Sequence, residues 1–205
     1  MRCGGGTPPR AGIAVDDSTR PAVLEELVAE VAAVLAWVTT AEDLDLATAE
    51  QRVRAGVLAI GARLLTAGLA ARGTGKAGPH LACPCGGKAT CEGYRRKEAQ
   101  TLVGWIRVRR ACYWCPACGH GWCPLDAALG MGRDSHSPGI RRGLGRLGAL
   151  LPFAQAAATL AEVAGVRTSA STVRAVTEGV GARREAEVTG AVARWRGPGP
   201  RAYPR

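Results

Sequence analysis

The sequence is short of several things, and each shortage removes a class of function. Near its middle it has no apolar run of membrane length. The longest uncharged stretch there, Leu147 to Ala161, is interrupted by Pro152, Gln155 and Thr159, whereas a spanning helix takes ~20 mostly apolar residues. The N-terminus, MRCGGGTPPRAG, has no apolar core of the secretory kind. No His/Glu pair stands at metalloenzyme spacing, which counts against a catalytic zinc. No βαβ pattern surrounds Cys115, which counts against a thioredoxin-type dithiol. These absences set the expectation of a cytoplasmic protein. In that reducing compartment cysteines serve as ligands or catalysts more often than as bridges.

Acidic charge is also scarce, and unevenly so. The 205 residues hold 27 Lys+Arg against 17 Asp+Glu, a net charge of +10 with a pI near 9.7. Residues 1–75 carry 7 Arg and 9 acidic residues, a net of −2, so the rest of the chain carries +12. A basic region joined to a near-neutral one is the footprint of a nucleic-acid-binding part attached to a part with another job. A solvated basic surface is the plainer alternative.

Residues 1–17 are rich in Gly and Pro without periodicity and are expected to form a disordered tail, with Cys3 incidental. Residues 18–73 form an expected helical hairpin. Ser18 or Thr19 caps its first helix, along which Leu24, Leu27, Val28, Val31, Leu35 and Val38 recur at helical spacing. Thr48-x-x-Gln51 has capping-box form and starts the second helix, whose stripe is Val53, Val57, Ile60 and Leu64 and whose stop is Gly73. Gly61 and Gly68 lie on nearly one face, where a partner helix can approach closely. The hairpin either buries its own stripes or forms a homodimer through these N-terminal helices.

Seven of the eight cysteines fall between 83 and 123. Cys115-Pro-Ala-Cys118-Gly119 is a knuckle in which a tight turn aims two thiolates at one metal and the glycine supplies backbone freedom. Cys83-Pro-Cys85-Gly86 stands upstream. Zinc takes four ligands tetrahedrally, and two knuckles joined by a β-hairpin supply them. Glu92 to Gln100 and Trp105 to Tyr113 are dense in strand formers, with Leu102-Val103-Gly104 at or near the turn. Residues 80–126 therefore read as a zinc ribbon holding one structural zinc through Cys83, Cys85, Cys115 and Cys118. The first knuckle is one residue shorter than C-x₂-C, so Cys91, or His80, stands as an alternate ligand. Cys112 and Cys123 are left as small core residues.

The hairpin is basic on both strands, with Arg95, Arg96 and Lys97 on one and Arg107, Arg109 and Arg110 on the other. Tyr94, Trp105, Tyr113, Trp114 and Trp122 lie in the same region. These residues are candidate DNA contacts through phosphate. The alternative is a solvated face over an aromatic core. Residues 137–192 read as a helix-turn-helix-like three-helix unit. Ser137-Pro138 starts its first helix, Pro152 ends it, Phe153 to Ala164 is the second, and Val173 to about Val192 is the third. Ser171, Thr172, Arg174, Arg183 and Arg184 are its candidate DNA contacts. Ordinary three-helix packing is the plainer alternative. The remaining 193–205 is expected to be an unstructured tail. The fold class is thus mainly α with a small β zinc ribbon.

Several motifs occur in one order. They are Glu50-x-x-Val53…Ile60-Gly61-x-x-Leu64-Leu65, the Cys83 knuckle, Thr101-x-x-Gly104-x-x-x-Val108-x-Arg110-x-x-Tyr113-x-Cys115-x-x-Cys118-Gly119, Pro124-Leu125-Asp126-x-x-Leu129-Gly130, and Phe153-x-x-Ala156…Leu160…Gly165…Ser171-Thr172-Val173. From about 48 to 182 this resembles the N-terminal half of ISKra-type insertion-sequence transposases. The resemblance implies a portion that recognises double-stranded DNA at the element's ends, placed before an Asp/Asp/Glu nuclease domain that works with two metal ions. The expectation is a chain truncated before that domain and inactive alone, since neither Asp126 nor Asp134 belongs to a carboxylate triad on strands. A transcriptional regulator and a protein-interaction module are the alternatives, and a metal-dependent nicking enzyme that uses Asp126 is a further one.

Overall fold

The computed structural model describes residues 20–195; the expected 1–17 tail, the Ser18/Thr19 cap and residues 196–205 lie outside that range. Within it are six helices and one four-stranded antiparallel sheet. The chain divides into two compact units, Met1–Ile140 and Arg141–Arg205.

The first unit opens with an antiparallel helical hairpin, α1 (Arg20–Thr40) and α2 (Leu46–Ala71). The start of α2 differs from the capping-box expectation. Asp45 is the N-cap, extended in backbone, and its carboxylate accepts from the Thr48 amide at 2.9 Å; the Thr48 hydroxyl and then that amide hold its pKa below the usual carboxylate value. Thr48 is therefore inside the helix rather than at its border. The stop is as expected: α2 ends at Ala71 and Gly73 follows with φ +83°. The close-approach glycine between the two helices is Gly56, where a Cβ would stand 2.4 Å from Val34. Gly61 instead faces Val103 of the β-hairpin turn, and Gly68 has nothing within 4 Å, so the expected pair of contact glycines is not a pair.

The sheet order is β1 (His80–Ala82), β2 (Lys88–Thr101), β3 (Gly104–Cys115), β4 (His120–Trp122). The long β2–β3 hairpin closes through Leu102-Val103, with the Thr101 hydroxyl donating to the Gly104 carbonyl at 2.7 Å. It is longer than the expected strands because its ends continue to the knuckles. A bulge between Cys91 and Gly93 shifts the register.

Side chains alternate across β3, so one strand serves two cores. Ile106 and Val108 face one way and join Ala99, Leu125, Ala62 and Leu69. That side is covered by α2 and by α3 (Pro124–Ala128). Ala111, Tyr113 and Cys115 face the other way and join Cys83 and Ala89. Tyr113 anchors that second core to residues 73–79: its hydroxyl donates to the Gly78 carbonyl at 2.8 Å and accepts from the Ala77 amide at 3.0 Å. Cys112 and Cys123, expected as small core thiols, form a disulfide that ties β3 to the residue before α3.

Among the described residues one helix, α2, is long and apolar enough to cross a membrane, by length and composition alone. The uncharged stretch weighed in the sequence lay elsewhere, in α4 and α5.

The second unit holds most of α4 (Pro138–Leu150) with α5 (Phe153–Ala164) and α6 (Ala170–Arg194). Gly165, at φ +66°, ends α5 in the left-handed conformation, and the Val166 amide reaches back to Leu160. Ser169 caps α6, accepting from the Thr172 amide. This cap starts α6 three residues before the expected Val173. Leu144, Ala156, Leu160 and Val173 are buried in this unit.

Helix α4 approaches α6 through glycines. A Cβ on Gly148 would stand 2.1 Å from Thr177 Oγ1 and 3.0 Å from Val173. Gly148→Ala is therefore expected to lower stability by about 1–3 kcal/mol. Gly179→Ala, where a Cβ meets nothing, raises it by about 0.5–1 kcal/mol. Urea unfolding of the two variants beside the parent checks the pair.

Candidate metal centre

Two loops at one end of the sheet supply four cysteines. The β1–β2 loop brings Cys83 and Cys85, and the β3–β4 loop brings Cys115 and Cys118. Their Sγ atoms lie within 4.8 Å of one another, with Cys83–Cys118 at 3.6 Å and Cys85–Cys115 at 3.7 Å. A tetrahedron of sulfurs about 2.3 Å from a central ion has edges of ~3.8 Å. The cluster already has that size.

The short first knuckle closes without an outside ligand. Gly86 turns at φ +85°, its amide bonds to the Cys83 carbonyl at 2.9 Å, and the Cys83 amide bonds to the Gly87 carbonyl at 2.9 Å. Gly87 makes the shortened chelate loop work. A Cβ there would stand 3.1 Å from both Cys115 Sγ and Ala117, and 3.3 Å from Cys85 Sγ. Its amide donates to Cys85 Sγ at 3.4 Å. In the second knuckle the Gly119 amide bonds back to the Cys115 carbonyl at 2.9 Å. The alternate ligands stand outside the cluster. His80 Nδ1 lies 3.3 Å from the Thr90 hydroxyl, and Cys91 Sγ lies 4.0 Å from the Gly93 carbonyl.

The thiols are electrostatically coupled. The Gly87 amide, with the Cys118 and Cys83 thiols, brings Cys85 down to about 7. Cys118 is pushed up to about 12, chiefly by Cys85. For Cys83 the Cys85 amide pulls downward, but burial and the Cys85 and Cys115 thiols outweigh it, and the net shift is upward. One negative charge is accommodated easily here and further ones are not, until a cation replaces the protons. An S₄ tetrahedron is a soft-ligand site suited to a thiophilic metal.

The six basic residues of the hairpin separate by face. Register pairs Arg96 with Arg109 and Glu98 with Arg107, and these side chains share the side opposite α2 and α3. Arg109 lies over the Tyr94 ring at 4.1 Å, with Lys76 over the same ring at 6.0 Å. Arg107 meets Glu98 at 2.9 Å, both exposed. Arg95 and Arg110 pair on the other side. There Arg110 is bonded to Asp126 of α3, and Lys97 donates to the Gly132 carbonyl. Arg110 and Lys97 are thus held by the fold rather than presented. The tempting Asp126 is likewise the partner of a structural arginine.

In the second unit Ser169 draws in both hydroxyls singled out from the sequence, at 2.8 Å to Ser171 and 2.9 Å to Thr172. Arg174 pairs with Glu178, which raises its pKa, and Arg184 pairs with Glu187. These pairs and Arg183 lie on exposed turns of α6. The residues missed from sequence are Lys76 and Gly87. Only tertiary approach identifies them, Lys76 by its place over the Tyr94 ring and Gly87 by loop closure. No protein-family model matches the chain, and no curated protein is significantly similar to it.

Two predictions follow from the cluster. Cys118→Ser abolishes stoichiometric metal binding while Cys91→Ser keeps about one ion per four-cysteine site, measured by metal content after dialysis. Binding must also release the protons held on the two raised thiols. Affinity therefore falls as pH falls, by about 100-fold or more per pH unit below 7, which competition with a chromophoric chelator measures.

Proposed function

We propose that the chain is a zinc-ribbon DNA-binding protein. The narrower form of this reading is the DNA-recognition portion of an ISKra-type transposase, as the motif order implies. Zinc is the metal that best suits four thiolates at tetrahedral edges in a closed structural site.

The observation that carries the reading is the open face of the β-hairpin. Arg96, Arg107 and Arg109 stand there in register, beside Tyr94 at 44% exposure. A two-stranded ribbon fits the major groove, and guanidinium groups on a rigid strand pair hold phosphates at fixed spacing. The exposed Arg107–Glu98 pair is worth at most about 1 kcal/mol, so a phosphate displaces it at little cost. In the second unit, Arg174, Arg183 and Arg184 on α6 add a second basic surface, and the capped start of α6 offers its amides to the same polyanion.

Fluorescence anisotropy with labelled duplex, from low to physiological salt, tests this. Arg96→Ala and Arg109→Ala are each expected to reduce the slope of log K against log salt by about 1. Arg110→Ala is expected to leave the slope alone and to cost about 3 kcal/mol of stability, because it strands Asp126. A parent protein whose affinity is indifferent to salt would overturn the reading. Preference for the element's terminal repeats over promoter DNA separates the transposase form from a regulator.

A further inference from the structure

The helical hairpin leaves a large apolar face uncovered. On α1, Leu24, Val28, Val31 and Leu35 are 57%, 66%, 53% and 62% exposed. On α2, Leu46, Val53, Val57 and Leu64 are 83%, 37%, 57% and 56% exposed.

These are two stripes on one surface. The contacts between the helices run through Val34 to Gly56, Trp37 to Arg52, and Glu26 and Glu30 to Arg63. At ~100° per residue, the α1 stripe lies roughly 100° round from the side of α1 that meets α2. The α2 stripe lies roughly 100° round from the side that meets α1, in the same rotational sense. The two helices are antiparallel, so equal rotations in one sense bring both stripes to the same side of the hairpin. Ala62 and Leu69, which reach the sheet core, are on the far side of α2.

We propose that a second copy of this chain covers that face, giving a homodimer whose interface is an antiparallel four-helix bundle. Three features of the face favour that occupant. Leu24, Val28, Val31 and Leu35 are spaced four, three and four apart, as are Val53, Val57, Ile60 and Leu64. That is the seam spacing by which helices pack side by side at shallow angles. The stripes run antiparallel, so a two-fold axis lays each face on its own copy with helices matched to helices, as an isologous interface requires. The size is also right. A face of ~25 Å by two helix diameters projects to about 500 Å², and its corrugated side chains bring the accessible area toward the ~800 Å² per partner of a standard interface. Monomers rarely leave so much contiguous apolar surface in water.

Lipid is the rival occupant, given the length and hydropathy of α2. It is disfavoured because α2 holds Arg63 in ion pairs with α1 and packs Ala62 and Leu69 into the sheet core. Leaving for a bilayer would break both.

The test uses the full metal-loaded chain without DNA, so it stands or falls apart from the DNA-binding reading. Light scattering during gel filtration at about 10 μM is expected to give twice the 21.2 kDa chain mass. The double variant Val28→Glu/Val57→Glu is expected to run at the chain mass with unchanged metal content and helical circular dichroism, since both side chains are exposed in the single chain. A parent that is monomeric at that concentration overturns the proposal, as does a dimer that survives the double substitution. A parent monomer that co-sediments with phosphatidylcholine vesicles would overturn it in favour of lipid.

Discussion

The knuckle end of the first unit depends on four sulfurs being held closer together than four thiolates would choose. The knuckles that carry them meet at the open end of a long β-hairpin, some thirty residues apart in the chain. The core beneath them is small: Cys83 and Cys115 are themselves two of its five buried members. A cluster of that size cannot order the end of a sheet by burial alone. The shift of Cys85 down to about 7 and of Cys118 up to about 12 expresses the same tension, since one charge is welcome and the next is resisted. A thiophilic cation bound there would convert that mutual repulsion into a cross-link between the β1–β2 and β3–β4 loops, and its binding would then be coupled to the folding of this end.

The other end of the hairpin is fixed by different means. There α2 covers Ile106 and Val108, while nearer the knuckles the Cys112–Cys123 disulfide anchors the segment leading into α3 and the Arg110–Asp126 pair locks α3 to the strand. The consequence for binding chemistry is a division of labour among similar residues. Arg110 and Lys97 face elements of the protein and are used up in holding it. Arg96, Arg107 and Arg109 face away from the helices and are held at strand spacing by a scaffold secured at both ends. Tyr94 adds to this by fixing the guanidinium of Arg109 over its ring.

How much of this was legible in the sequence depended on the range of the interaction. Local signals read well. Gly73 and Gly165 end their helices, Pro152 separates α4 from α5, and the strand formers on either side of Leu102 make a hairpin. The four clustered cysteines were legible as a set because knuckle spacing is local. What failed was competition and register. Asp45 took the cap because its carboxylate accepts from the Thr48 amide, which puts Thr48 itself inside the first turn. Gly61 looked like a helix-contact residue but serves the turn at Val103, a partner more than forty positions away. Cys112 and Cys123 could not be paired from spacing, because the approach of β3 to α3 that brings them together is tertiary. The same holds for the basic residues: six arginines and lysines look alike in one dimension, and only the pleat tells that Arg96, Arg107 and Arg109 share the face away from the helices.

The charge asymmetry of the chain bears on both proposals at once. The near-neutral part is the hairpin, and the +12 part is the ribbon and the second unit. Two copies that met through basic ribbons would work against Coulomb repulsion and would depend on a polyanion to bring them together. Two copies that meet through the hairpin do not face this, because its apolar face is bordered by both signs and carries almost no net charge. Placing self-association on the neutral part leaves the basic faces unburied by it. The two-fold axis then relates two identical cationic ribbons, which suits a two-fold arrangement of DNA sites better than a single one. The segregation of charge along the sequence is therefore a physical condition for the two surfaces to work in one molecule without interfering.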